Sequence, residues 1–215
     1  MNLPQTHYHL DNLPPIDQYF VEEAKNSVFH WPTIDYAHNK PLTYTNFKDV
    51  ELSHGIPMPS PACTQQGIAM DGDRNTSKSR TIKSPSTFEE TNFAKDLVKN
   101  LGSVKSLYFY NSPWSLYDWH QDSFGHTCSI NFLLTDTPGA RTLYKFPLDI
   151  RLNFKVDVLE YKLYRPVLFN SLIDHCVINM TDKHRYMLSV LLVDTTYSEA
   201  KKFLSGYTLN TPGYL

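Results

Sequence analysis

Apolar residues follow two different rhythms along this chain, and the change comes near residue 103. Upstream, Ile16 to Asn26 sets Ile16, Tyr19, Phe20 and Ala24 on roughly one face of a short helix entered through Pro14 and Pro15, a spacing that turns one stripe toward a core. A second helix is predicted after Ser86. There Ser86 and Glu89 have the spacing of a capping box, Phe88, Leu97, Val98 and Leu101 supply the stripe, and Gly102 stands where a helix would end. Between the two helices, from about Ser53 to Pro85, Ser, Pro, Thr, Gly and Lys dominate and large apolar residues are few. That composition reads as a lid or substrate loop.

Past Gly102 the pattern turns to short runs of β-branched and aromatic residues separated by turn signals. There are about six such runs: Val104 to Tyr110, Tyr117 to His120, Thr127 to Leu134, Arg141 to Phe146, Val167 to Phe169 with Cys176 to Asn179, and Arg185 to Val193. Sheets with one apolar face each must cover one another, so the pattern predicts a mainly β fold with flanking helices, a sandwich or jelly roll open at one end. Within a single domain spanning 1–215, the expected division is packing helices and loops over 1–102, a β core over 103–195 and a C-terminal tail over 196–215.

Composition narrows the function classes. A length of 215 residues suits one domain with a real core. The formal net charge of -2, with no sustained run of Lys or Arg, leaves no electrostatic footprint for nucleic acid or an anionic membrane. No run of 18 apolar residues is present, and the N-terminus lacks the basic start and apolar centre of a signal peptide. Cys63, Cys128 and Cys176 are odd in number and widely spaced, which fits neither a disulfide framework nor a zinc cluster. A cytoplasmic location is expected. Cys128 and Cys176 lie in apolar strand runs and read as small buried fillers.

Chemistry concentrates in two segments. In YDWHQDSFGHTCSINFLL, His120 and Asp122 stand two positions apart, and on an extended strand such residues project from one face. An HxD pair is expected by chance ~0.6 times in a chain of this composition, and a second one exists at His9 and Asp11. That pair is set aside because it lies before a proline pair with no predicted strand around it. Downstream, FNSLIDHCVINMTDKHRYMLSVLLV supplies His175 at the edge of an apolar run and Arg185 at the head of the next. Two imidazoles and one carboxylate on one face of an octahedral metal leave positions open for co-substrate and oxygen, as in non-haem Fe(II) enzymes. Arg185 offers a planar, permanently charged fork suited to the far end of a dicarboxylic acid. Strand parity places Ser189 on the same face as Arg185 and Met187, with Tyr186, Leu188 and Val190 on the other.

Taken singly, His120 beside Trp119 is more simply a hydrogen-bonded core histidine, and Arg185 a surface ion-pair residue. The ordered set carries the weight. His126 and His184 break strand parity or flank a turn, and read as supports behind the ligands or as solvent-facing. Asn179 shares the parity of His175 and suits either steadying the loop after it or local turn chemistry. Arg141 and Arg165 flank strands and could meet a substrate carboxylate or sit on the rim.

With WHQD, SINFLL, PVLFNSLIDHCVIN and HRYMLS in that order, residues 103 to 195 resemble the 2-oxoglutarate and Fe(II)-dependent oxygenases, in particular the aspartyl/asparaginyl hydroxylase-like and prolyl hydroxylase-like members. The resemblance implies a cupin-like double-stranded β-helix, with His120, Asp122 and His175 as metal ligands and Arg185 as anchor of the distal carboxylate of 2-oxoglutarate. It further implies contacts to that co-substrate from Tyr110 and Asn131. Some aspartyl/asparaginyl hydroxylases lack the ligand carboxylate, whereas Asp122 is present here. The implied activity is hydroxylation of an amino acid or protein side chain, with O2 consumed and succinate and CO2 released. A zinc-dependent cupin-like hydrolase or isomerase could use the same ligands, and a jelly roll can also serve as a non-catalytic binding or structural module.

Overall fold

The computed structural model describes residues 4–28, 52–53, 56–57, 81–111, 115–122, 126–147 and 154–208. In chain order the elements are β1 (His7–His9), α1 (Gln18–Val28), β2 (Leu52–Ser53), β3 (Ile56–Pro57), β4 (Thr81–Pro85), α2 (Asn92–Leu101), β5 (Val104–Asn111), β6 (Ser115–His120), β7 (His126–Leu133), β8 (Ala140–Pro147), β9 (Phe154–Leu159), β10 (Pro166–Asn170), β11 (His175–Asn179), β12 (Arg185–Val193) and α3 (Tyr197–Ser205).

From β5 onward the chain shuttles between two antiparallel sheets. The large sheet runs β1-β10-β7-β12-β5-β4 and the small one β6-β11-β8-β9. Consecutive strands therefore alternate between walls, with only β8 and β9 forming a hairpin within one sheet. This winding of a folded double strand is a jelly roll, or double-stranded β-helix, the fold class expected from the alternating runs.

The large sheet is apolar on its outward face. Tyr108, Ile130, Phe132, Leu168, Leu188 and Leu192 form one buried cluster with the helices, including Phe20 of α1, Phe93 and Leu97 of α2 and Leu204 of α3. Because β-strand side chains alternate, covering that face with helices leaves the opposite one turned toward the small sheet. There the same strands carry Asn111, Ser129, Asn131, Arg185 and Ser189, all buried. Polar groups between two sheets are unfavourable unless paired, so the inner face is where function is to be sought.

Several sequence expectations are corrected. The helix expected after Ser86 is two pieces, a single turn of 3-10 helix at Thr87–Glu90 and then α2, separated by Thr91. Ser86 accepts from the Phe88 amide as a cap should, but Glu89 turns away and takes the Ser106 amide at 2.7 Å, so no capping box forms there. Thr91 caps α2 instead, and Gly102 ends it with φ +89. The expected C-terminal tail contains α3, whose Thr196 and Glu199 do form a capping box. The run joining Val167–Phe169 to Cys176–Asn179 is two strands in different sheets, and β9 was not among the predicted runs. Residues 7–9 are a strand paired with β10, which removes the stated reason for setting aside His9 and Asp11. Asp11 is nonetheless held by Lys162 at 2.9 Å. The stretch read as a lid ends in β4, paired with β5, and includes the short β2–β3 pair; residues 54–55 and 58–80 lie outside the described residues, as does Cys63.

Cys128 and Cys176 are both buried and neither is in a disulfide, and burial pushes the Cys128 thiol up to about 12. No described helix is long and apolar enough to cross a membrane.

Phe88 is the keystone of the helix-facing core. It is fully buried, with ring centroids 5.5 Å from Phe20, 6.2 Å from Phe93 and 6.0 Å from Phe132, so it joins the 3-10 turn, α1, α2 and β7. Phe88→Ala is expected to lower unfolding free energy by about 3–5 kcal/mol, read from urea melts. A loss under about 1 kcal/mol would show that the helices do not depend on this ring.

Candidate metal and carboxylate site

The polar inner face lines a narrow cleft between the sheets. Asp122, His175, Arg185, Thr142, Tyr161 and Asn131 all border it.

His175 is the first residue of β11 and only 3% exposed. Its Nδ1 lies 2.8 Å from the backbone carbonyl of Ile173. A carbonyl can only accept, so Nδ1 carries the proton and donates it. The neutral ring then presents the Nε2 lone pair, the tautomer suited to a metal ligand. Phe169 meets the ring edge-on at 4.8 Å between centroids and Tyr144 lies at 6.0 Å, which limits its rotation.

Asp122 lies two residues beyond the end of β6 rather than on it, so strand parity is not what places it. Its amide donates to the Ser171 carbonyl at 3.0 Å, tying the segment to the turn before β11. Asp122 Oδ2 comes to 3.8 Å from His175 Nε2. That is too long for a hydrogen bond, yet short enough for both atoms to reach one divalent cation such as zinc, whose bonds to such donors run ~2.0–2.2 Å. Position 120 pairs by its backbone directly with His175, and the register slips between His175 and Val177, the irregularity of a β-bulge. Bulges of this kind re-aim neighbouring positions next to active sites. Among the described residues, no group of three or more His, Cys, Asp or Glu side chains is placed to hold a metal.

Arg185 opens β12, a strand paired on both sides, and is 2% exposed. One terminal nitrogen donates to Asn111 Oδ1 at 2.9 Å, while the other, Nη2, is buried with no hydrogen-bond partner among the described residues. The guanidinium stands 5.5 Å from the centre of the Tyr161 ring. Burial lowers the pKa of Arg185 and nearby Tyr161 raises it; a guanidinium keeps its charge in proteins. Among the described residues no Asp or Glu forms an ion pair with it. A buried cation without a counter-charge is costly, and an anion in the cleft would supply the missing interaction.

Ser189 and Asn131 are in the cleft wall, facing each other across β12 and β7. Both Ser189 Oγ and Ser129 Oγ donate to Asn131 Oδ1, at 2.7 and 3.0 Å. Asn131 Nδ2 in turn reaches the Tyr161 hydroxyl at 3.4 Å. Tyr110 is elsewhere. It pairs with Tyr186, so it takes the face opposite Asn111 and Arg185, and its ring stacks on His184 at 4.9 Å with the hydroxyl bonded to that histidine. The residues of β5 that do line the cleft are its neighbours Phe109 and Asn111.

The remaining candidates have structural roles. Asn179 is fully buried; its amide donates to the carbonyls of Asn111 and Lys183 and its oxygen accepts from Thr181, so it steadies the turn and the site wall together. Arg141 is exposed beside Glu160 at 3.7 Å, and Arg165 donates to the Leu13 carbonyl. Thr142, Tyr161 and Asn111 were missed. Thr142 follows Arg141 in a strand whose parity, had it been pursued, separates the rim residue from the inward one.

No family model matches the chain, and no curated protein sequence does. Solved structures with a related course include an oxalate oxidase in complex with the substrate analogue glycolate, 11% identical over 54% of this chain and 53% of that one, with a TM-score of 0.36. A Trichoplax adhaerens prolyl hydroxylase in complex with a hypoxia inducible factor peptide fragment is 17% identical over 56% of this chain and 67% of that one, at 0.42. Bacillus subtilis oxalate decarboxylase, described with Mn(II) centres, is 17% identical over 53% of this chain and 26% of that one, at 0.33. The match thus spans about half the length of the oxalate oxidase chain. Likenesses this distant do not decide among the chemistries of those enzymes.

If Arg185 is held for a ligand and not for the fold, an apolar replacement should leave the unliganded protein stable. Arg185→Met is expected to change unfolding free energy by no more than about 1 kcal/mol, as measured in urea without added ligand. A loss beyond about 3 kcal/mol would show that the fold itself requires the cation and its bond to Asn111.

Proposed function

We propose that this chain is an oxygenase that binds Fe(II) through His120, Asp122 and His175 and takes 2-oxoglutarate as co-substrate, with Arg185 receiving the distal carboxylate. The observation that carries the reading is the buried guanidinium with an unpartnered Nη2, bordering the same cleft as Asp122 and the metal-ready face of His175. The backbone pairing of position 120 with His175 supports the third ligand. A hydrolase or isomerase with the same ligands needs a general base opposite the metal-bound water, and a buried arginine cannot serve as one.

The chemistry that iron(II), 2-oxoglutarate and oxygen supply when bound is oxidation of a C–H bond, with succinate and carbon dioxide as co-products. The chain's own contribution is orientation and shielding. The Ile173 carbonyl fixes the His175 tautomer, the tie to Ser171 fixes Asp122, and Arg185 sets the distance at which a dicarboxylic acid can lie with its other end toward the two ligands. Phe169 and Val177 keep the cleft wall apolar beside them. The substrate oxidised is proposed to be an amino acid or a protein side chain, and the site of action a reducing cytoplasm.

Mixing the protein with Fe(II) and 2-oxoglutarate under nitrogen is expected to give a weak visible charge-transfer band, absent in His175→Ala, and admission of air should yield succinate from the wild type alone. A band of full intensity in the variant would remove His175 from the ligand set. Metal-free wild-type protein that shows no affinity for either iron or 2-oxoglutarate at millimolar concentration would support a binding or structural module instead.

A further inference from the structure

Among the described residues, two polar atoms border the inner cleft without a partner, and they come from opposite walls. One is Arg185 Nη2 on the large sheet; the other is Thr142 Oγ1 on β8 of the small sheet, in a residue 1% exposed. Thr142 pairs with Val177 on one side and Leu159 on the other, a setting in which valine would fill the same space with no hydroxyl to satisfy. A buried hydroxyl without a hydrogen bond is unfavourable.

A carboxylate accepts and never donates, so only donors in the cleft can hold it. Ser129 and Ser189 already give their protons to Asn131 Oδ1. Asn131 gives one of its own to the Tyr161 hydroxyl, which thereby accepts and keeps its proton for another group. Tyr161 lies close enough to Thr142 and Arg185 for its hydroxyl to feel both polar groups, but neither Thr142 Oγ1 nor Arg185 Nη2 makes a well-formed hydrogen bond to it. One nitrogen of the Arg185 fork is engaged by Asn111. Among the described residues, the buried cleft-lining atoms that make no hydrogen bond are Arg185 Nη2 and Thr142 Oγ1, and the Tyr161 hydroxyl, which accepts from Asn131, still has its own proton to give.

We infer that Thr142 is a binding residue for the carboxylate that Arg185 receives, its hydroxyl donating to an oxygen of that group while Arg185 Nη2 and the Tyr161 hydroxyl donate to the remaining lone pairs. This rests on the reading of the cleft as a 2-oxo dicarboxylate site. Ser189 and Asn131 then act as positioning residues that aim Tyr161, and direct contact from them is not part of the arrangement. The hydroxyl from the small sheet also makes recognition of the far carboxylate depend on both walls.

The test is calorimetric binding of 2-oxoglutarate, and of 2-oxobutanoate, which lacks the far carboxylate, to Mn(II)-loaded wild type, Thr142→Val and Thr142→Ser. Melting of each ligand-free protein is recorded alongside. Thr142→Val is expected to weaken 2-oxoglutarate about tenfold or more, to leave 2-oxobutanoate unchanged and to melt no lower than the wild type, since its hydroxyl has no partner to lose. Thr142→Ser should restore the affinity. The inference fails alone if Thr142→Val binds 2-oxoglutarate as tightly as wild type, weakens both acids equally, or melts well below wild type before ligand is added. Wild type that binds neither acid overturns the reading of the cleft and this inference together.

Discussion

A guanidinium sealed between two β-sheets, with no carboxylate among the described residues to neutralise it, is the constraint around which this protein is organised. Desolvating a cation is expensive, and one without a counter-charge adds little to folding. Such an arrangement persists in a stable fold only if the surroundings are strong enough to carry it and a ligand returns the lost interaction. The first condition is visible, and the second is what the proposed function supplies. Arg185 begins the most heavily paired strand of the large sheet, and the Asn111 and Tyr161 contacts orient its head toward a cleft rather than away from it.

The jelly roll supplies the strength by an unusual division of labour. Helices α1, α2 and α3 take up the apolar outer face of the large sheet, and Phe88 with its ring neighbours closes that core. The inner face is thereby released from carrying the main core and can afford Ser129, Asn131, Ser189 and Arg185. Alternation between walls then brings two different kinds of group together. His175 and Thr142 come from the small sheet and Arg185 from the large one. In the proposed function, the two ends of a short dicarboxylic acid are held by elements far apart in sequence but fixed against each other by hydrogen-bonded ladders.

What could be read from the sequence follows from the range of the interaction concerned. The strand runs and the inward parity of Arg185, Met187 and Ser189 were legible because alternation is a local property of the chain. So was the ordered spacing of His120, Asp122, His175 and Arg185. Tyr110 was misplaced by one residue, and in a strand one residue means the opposite face; only the pairing of Asn111 with Arg185 reveals it. The capping boxes teach a related lesson. Ser86 and Glu89 have the right spacing, but a tertiary partner, the Ser106 amide, captures the carboxylate, whereas the equally plain Thr196 and Glu199 signal was overlooked and is realised. Thr142 and Tyr161 had no motif to announce them. Their inferred role rests on which buried donors make no hydrogen bond, and that is readable only with the opposite wall in place.

The most direct measurement is an anomalous diffraction map from crystals containing Mn(II) and 2-oxoglutarate. The account requires one metal peak bonded to His120, Asp122 and His175 Nε2, with the ketone end of the acid beside it and the far carboxylate on Arg185 Nη2. A metal bound elsewhere, or an acid whose far carboxylate avoids Arg185, would contradict it.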